Sequence, residues 1–314
     1  MMPIRPDFIP PDVRARLKDI ALGARFAVGG HGFGQHSSHS RGAGLEFAQY
    51  RAYEPGDELR QVDWKLYARS DRYFVREAER DSPLTMWILI DATASMAQTD
   101  AARPDWSRLD AAKVLAACAI ELALRQGDRF GLAVLGDDRL RVHAADAGPR
   151  QRDRCLLTLQ SIAARGGWPD ESALQPLWER VAAGALVLWL GDGFDDAGVR
   201  LAERFAATRR EVVGIRILTV GERDFPFHGG YRFRDPESFD EVLGDGDAIR
   251  AGFLERFGAA RRGLAARLAA SGIRQVEYVL DEAPDLPLRR LFATRGAGAH
   301  PEALFNGVKR WSTA

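Results

Sequence analysis

Asp91, Thr93 and Ser95 stand at alternate positions directly after the apolar run Met86-Trp87-Ile88-Leu89-Ile90. One carboxylate and two hydroxyls are hard oxygen donors. They suit Mg²⁺ or Mn²⁺ rather than zinc. A second carboxylate, Asp192, opens Asp192-Gly193 after another apolar run, Ala185 to Leu190. The two acids are far apart in sequence, yet each ends an apolar run.

Those runs are too short to cross a membrane and rich in strand formers, the pattern of strands buried on both faces of a parallel sheet. In open α/β sheets, ligands bind at the carboxyl ends of the strands. Neighbouring strand ends would therefore bring Asp91 and Asp192 together. Elements that support such a sheet follow in order. Ser107-Arg108-Leu109-Asp110 has the form of a capping box, and a helix to about Arg125 places Leu109, Ala112, Leu115, Ala119 and Leu122 on one face. Arg129–Leu135 and Arg139–Ala144 form a hairpin around Gly136-Asp137-Asp138. Helices are expected over Arg150–Arg165, from Ser172 to about Ala183, over Ala197–Arg209 and over Ile249–Ser271. Strands are expected over Glu211–Val220 and Ile273–Leu280, with a short helix at Leu286–Phe292. The stretch 222–247 is irregular by pattern, with Phe225, Phe227, Tyr231, Phe233 and Phe239.

Asp-x-Thr-x-Ser after a first buried strand resembles the opening of the metal-ion-dependent adhesion site of von Willebrand factor A domains, with Thr93 where Ser is usual. The upstream stretch from Gly44 to Trp64, including Tyr50-Arg51-Ala52-Tyr53-Glu54-Pro55-Gly56-Asp57-Glu58-Leu59-Arg60-Gln61-Val62-Asp63-Trp64, and then Ala68-Arg69, resembles the signature of the bacterial family called domain of unknown function fifty-eight. That family joins the signature to an A-type domain, and the resemblance runs from about Gly30 to Phe292. It implies an α/β fold: a doubly wound, mostly parallel sheet with one antiparallel edge strand, after a small β-containing module. The expected layout is an arm and Gly/Ser/His-rich loop over 1–43, the signature module over 44–84, the A-like domain over 85–292 and a loose tail over 293–314.

The resemblance also implies a role for each site residue. Mg²⁺ (or Mn²⁺) would take Thr93 and Ser95 directly and Asp91 and Asp192 through water, leaving one position for a partner's carboxylate. A-type domains commonly supply a further Thr, often as Gly-Gly-Thr. Here Trp168 follows Gly166-Gly167, so Ser172, or a carboxylate from Asp170 or Glu171, is the candidate replacement. Family members resemble partners of MoxR-type AAA+ ATPases, so the expected function is a non-enzymatic cytoplasmic adaptor binding such an ATPase, a client protein or both. A metal-free scaffold with a degenerate site is the alternative. A phosphohydrolase is the second, but an Asp-x-Asp phosphatase needs an acid where Thr93 stands, and no Lys accompanies Asp192.

In the signature, Arg51, Tyr53, Asp57, Arg60, Asp63, Trp64 and Arg69 interleave charge with aromatic rings. They make either an Arg–carboxylate network within the structure or a docking surface. Val62 and Trp64 alternate with Asp63 as in a strand. The loop from Gly29 to Gly44 holds three histidines without a cysteine or the spacing of a closed zinc site. Lys plus Arg and Asp plus Glu are 44 each, so net charge gives no argument for nucleic acid or a membrane surface. No signal peptide or spanning segment is evident. Cys118 and Cys155 lie in helical, apolar segments and are expected as buried thiols.

Overall fold

The computed structural model describes residues 8–23, 47–53, 62–78, 83–234 and 241–292. The chain divides into two compact units, Gly30–Pro83, and Met1–Gly29 with Leu84–Ala314. Helix α1 (Pro11–Arg16) belongs to the larger unit. The smaller one has strand β1 (Phe47–Ala52), helix α2 (Trp64–Ser70) and strand β2 (Phe74–Ala78). The larger unit resumes with β3 (Thr85–Asp91), a hairpin of β4 (Thr99–Asp100) and β5 (Arg103–Ser107), α3 (Arg108–Gln126), β6 (Arg129–Gly136), β7 (Arg139–Asp146), α4 (Pro149–Ser161), α5 (Gln175–Arg180) and β8 (Leu186–Gly191). It continues with α6 (Asp196–Ala207), β9 (Glu211–Leu218), α7 (Val220–Asp224), a hairpin of β10 (Gly230–Arg234) and β11 (Glu241–Asp245), α8 (Gly246–Ala270), β12 (Arg274–Val279) and α9 (Leu286–Phe292).

The central sheet has the order β12-β9-β8-β3-β6-β7. All its pairings are parallel except that of β6 with β7. This is the expected doubly wound sheet with one antiparallel edge strand. The chain builds outward from β3 through β6 to β7, then returns to the other side of β3 for β8, β9 and β12. The order thus reverses between β3 and β8, the switch point where such sheets leave a crevice at their carboxyl ends.

Side chains of β3 alternate between two cores. Met86, Ile88 and Ile90 join the cluster containing α3, Leu159 of α4 and Leu288 of α9. Trp87 and Leu89 face Leu177 of α5, Phe205 of α6 and Leu268 of α8. Val13, Leu17, Ile20 and Leu22 are buried in the first cluster, and Arg16 pairs with Asp285 at 2.8 Å. The stretch read as an N-terminal arm is therefore partly core. Among the described residues no helix is long and apolar enough to cross a membrane. Cys118 and Cys155 are buried free thiols, their pKa values pushed up to about 12 by burial.

Other expectations need correction. Trp64 opens a helix rather than continuing a strand, because Asp63 accepts the Lys65 and Leu66 backbone N–H groups at 2.9 and 3.0 Å, an N-cap that favours a helical turn. Helix α4 stops at Ser161 because Ile162 is already extended. The irregular stretch 222–247 contains α7 and a hairpin: Thr219 and Glu222 form a capping box, and Tyr231 and Phe233 alternate along β10. Between β3 and α3 the chain forms a 3-10 turn, Ala94–Ala97, and the β4–β5 hairpin. The Gly29–Gly44 loop and the tail 293–314 lie outside the described residues.

Asp128, just before β6, anchors the start of β3 by accepting the Leu84 N–H at 2.9 Å. Its other oxygen is buried without a partner among the described residues, and burial pushes its pKa up to about 6. A carboxyl raised in the folded state favours folding below its unfolded pKa, and that contribution is lost as pH rises through the folded value. Urea denaturation should therefore show wild type losing up to about 3 kcal/mol relative to Asp128→Asn between pH 4 and pH 7. Parallel pH profiles would refute this account of Asp128.

Candidate functional site

Strand β3 carries Asp91 to the switch point, and β8 does the same for Asp192, the residue after its end. Both are 1% exposed. Close approach at the ends of β8 and β6 to the end of β3 requires glycine. A Cβ on Gly191 would lie 2.9 Å from Asp91 Cβ, and one on Gly136 would lie 2.4 Å from the Ala92 carbonyl oxygen.

The turn after β3 folds its hydroxyls back onto the carboxylate. Thr93 donates to Asp91 Oδ1 from its backbone N–H at 3.0 Å and from Oγ1 at 2.7 Å. Ser95 Oγ lies 3.1 Å from Thr93 Oγ1. Thr93 and Ser95 are buried, so the group is shielded from solvent. Burial and then repulsion from Asp192 push the Asp91 pKa up to about 7, against the lowering effect of the Thr93 bonds. Among the described residues no Lys, Arg or His pairs with Asp91.

Asp192 has a different environment. Its Oδ1 accepts the Phe194 N–H at 3.1 Å, and its Oδ2 accepts from Arg108 Nη1 at 2.9 Å. Arg108 also donates to the Ser95 carbonyl at 3.2 Å and to Glu222 at the start of α7. Arg216 Nε donates to the Asp192 carbonyl at 2.8 Å. The Phe194 ring lies over both guanidiniums, 5.4 Å from Arg108 Cζ and 5.2 Å from Arg216 Cζ. Such contacts are a favourable use of an aromatic face.

The structure thus brings Asp91, Thr93 and Ser95 into one hydrogen-bonded group and places Asp192 close enough to perturb it. It does not bring Ser172 there. Ser172 is exposed in a 3-10 turn, Glu171–Leu174, that lies against edge strand β7, and Glu171 pairs with Arg204. The Gly166 region reaches the site by main chain instead: Ala94 N–H donates to the Gly166 carbonyl and Arg165 N–H to that of Ala92, both at 2.9 Å. Trp168 packs over Gly198 of α6, where a Cβ would be 2.6 Å from its ring.

Arg108 and Glu222 are the residues that sequence reasoning missed. Arg108 was visible only as the second residue of a capping-box pattern, a position ordinarily exposed.

Do these residues fit a small divalent ion? Asp91, Thr93 and Ser95 offer hard oxygens joined through Thr93, and the buried Asp91 carboxylate has no cation partner among the described residues. Arg108 bridges Asp192 and Glu222, and Arg216 adjoins them, so the uncompensated charge is that of Asp91. These features fit Mg²⁺ or Mn²⁺, with Asp192 already engaged by Arg108. Among the described residues no group of three or more His, Cys, Asp or Glu side chains could hold a metal; this donor set depends on hydroxyls.

In the smaller unit, Asp63 is the buried cap of α2 and Trp64 is 56% exposed. The Trp64 and Tyr67 rings contact Tyr73, and Tyr53 adjoins it at 6.1 Å. Arg69 is exposed. Arg51 lies on β1 opposite Val75. Asp57 and Arg60 lie outside the described residues.

The family model described as "Protein of unknown function DUF58" matches residues 49–262. Uncharacterized protein Rv1480 of Mycobacterium tuberculosis is 27% identical over 268 residues, which cover 82% of this chain and 83% of that protein. Uncharacterized protein Mb1516 of Mycobacterium bovis gives the same figures. Among solved structures, conserved hypothetical protein BatB from Bacteroides thetaiotaomicron is similar with TM-score 0.44 and 16% identity over 66% of this chain and 95% of that one. The SpRpn10 VWA domain is similar with TM-score 0.38 and 14% identity over 67% and 94%.

A carboxylate buried without a counter-ion destabilises the folded chain until a cation or proton meets it. In chelator at pH 8, Asp91→Asn, which retains an oxygen to accept both Thr93 bonds, should therefore raise the melting temperature. A lower melting temperature would show that another group balances the Asp91 charge.

Proposed function

The chain belongs to the DUF58 family, and from that premise we propose that it is a non-enzymatic protein-interaction adaptor with a Mg²⁺-dependent recognition site at the switch point of its sheet. The observation that carries this reading is Asp91: a buried carboxylate with no cationic side chain among the described residues against it, held beside two hydroxyls at the edge where open α/β sheets bind ligands. Asp91, Thr93 and Ser95 would hold the ion. When bound, it supplies a coordination position that a carboxylate of a partner protein can fill. The chain's own residues keep the turn rigid and dry. Thr93 orients Asp91, the Gly166 carbonyl fixes Ala94, and Phe194 stands at the mouth, 48% exposed.

The partner we assign is a MoxR-type AAA+ ATPase or one of its client proteins. What supports that partner is the resemblance of the Gly44–Arg69 stretch and its A-type continuation to a family of such adaptors. Recognition is favoured over phosphoryl transfer because Thr93 occupies the position where a second acid would be required. The buried free thiols are consistent with a reducing cytoplasm.

Two measurements test this. Mg²⁺ at about a hundred times its Kd should add about 2.7 kcal/mol of stability over chelator in wild type, and Asp91→Ala should remove the increment while leaving the chain folded. An unchanged melting curve in saturating Mg²⁺ would favour a metal-free scaffold. In pull-downs from the native cell in Mg²⁺, wild type should retain an AAA+ ATPase that folded Asp91→Ala loses. Equal capture by both would move the docking role away from this site.

A further inference from the structure

The acidic group at the switch point contains a cation of its own. Arg108 opens α3 and is 2% exposed, and its two terminal nitrogens reach different elements. Nη1 donates to Asp192 Oδ2 and to the Ser95 carbonyl, while Nη2 donates to Glu222. A guanidinium this deeply buried is tolerated where carboxylates balance it, and its planar fork can serve two of them at once. Its hold on Asp192 has a direct consequence. With Phe194 N–H on Oδ1 and Arg108 on Oδ2, each Asp192 oxygen already has a donor, and the charge that a neighbouring divalent ion would draw on is compensated.

The arrangement also gives Arg108 an alternative to that position. Glu222 remains as a counter-ion if Asp192 is given up, and Glu222 is itself fixed. Its Oε2 accepts from Thr219 N–H at 2.9 Å and from Thr219 Oγ1 at 3.1 Å. The start of α7 is held separately by Asp100, which accepts the Val220 and Gly221 N–H groups at 3.0 and 3.1 Å. The guanidinium can therefore move towards Glu222 without leaving a bare buried charge and without dismantling α7. The Phe194 ring above it is half exposed, so the covering side can yield.

We propose that Arg108 is an internal competitor at the site: held between Asp192 and Glu222, its guanidinium stands in for a divalent cation at Asp192, and an ion in the Asp91–Thr93–Ser95 group gains Asp192 only when Arg108 releases it. This rests on the metal-site reading above and adds its regulation. Arg108 is a positioning residue that sets how tightly the site takes its ion.

The test is Mn²⁺ titration of the full chain, with free Mn²⁺ followed by electron paramagnetic resonance and folding by circular dichroism. Wild type, Arg108→Gln, Arg108→Lys and Asp91→Asn are compared. Removing the competing charge should tighten Mn²⁺ binding by at least roughly tenfold in Arg108→Gln. Arg108→Lys should fall between it and wild type, because one ammonium cannot span both carboxylates. Asp91→Asn should lose the binding. A folded Arg108→Gln that binds no tighter than wild type overturns the competitor and leaves the metal site standing. No Mn²⁺ binding in wild type, Arg108→Gln and Arg108→Lys alike overturns both, as does wild-type affinity in Asp91→Asn. If Arg108→Gln is unfolded in chelator, Arg108→Lys decides: tighter binding than wild type supports the competitor, and equal or weaker binding overturns it.

Discussion

Two carboxylates cannot be buried at neighbouring strand ends without something to balance them, and the edge of this sheet is organised by that constraint. Asp192 is balanced by Arg108. Asp91 is not balanced by any described cation, and burial with repulsion from Asp192 holds its carboxyl far above the ordinary range. Two hydrogen bonds from Thr93 oppose the rise without cancelling it. Those bonds belong to one tight turn whose backbone is fixed on both sides, by Leu135 at Ala92 and by Gly166 at Ala94. The acidity of the site is thus a property of the switch point, not of any one residue.

The same constraint explains features that otherwise look like packing detail. Gly191 must lack a side chain because Asp91 lies where its Cβ would be. Arg108 must sit at the very start of α3, because a guanidinium one turn later would be carried away from the strand ends. The capping box of Ser107 and Asp110 fixes that start, and the Arg108 N–H bond to Gln98 ties it to the chain leaving the site. Glu222 then serves two purposes, closing the α7 cap and holding the far side of Arg108. An ordinary capping motif becomes part of an electrostatic arrangement because of where the helix begins.

These dependencies also decide what could be read in the sequence. Asp91, Thr93 and Ser95 were legible because a turn after a buried run is a local pattern. Asp192 was legible because it too ends an apolar run, and parallel sheets align such ends. The sheet and its antiparallel edge followed from the order of apolar runs and from the Asp137-Asp138 turn, where both residues take positive φ. Arg108 was not legible as a site residue. A buried Arg has no periodic signature, and its partners Asp192 and Glu222 come from across the fold. The replacement sought for the loop Thr was misplaced for a related reason. Ser172 is near Gly166 in sequence, but α4 ends early, and the chain after Trp168 turns towards β7. Trp64 was misread because alternation over three residues resembles the first turn of a capped helix.

Beyond the strand ends, the described residues around α8 and the β10–β11 hairpin present aromatic surface. Helix α8 has 25 residues, roughly 37 Å, whereas β12 has six, roughly 20 Å. Its later part is joined to the larger unit by Arg261 with Glu277 and by Arg267 with Glu203 and Asp196. Its earlier part carries Phe253 and Phe257, which connect Phe225 of the hairpin region to Phe194. Tyr231, Val242, Leu243 and Ile249 remain exposed there, while Arg232 pairs with Glu241 and His228 with Asp247. The surface is not independent of the acidic site. Phe194 belongs to its ring series and also covers Arg108, and Glu222 lies on the helix that leads into the hairpin. Phe194 thus links the ring series to Arg108, and Arg108 links it through Glu222 to the helix that leads into the hairpin.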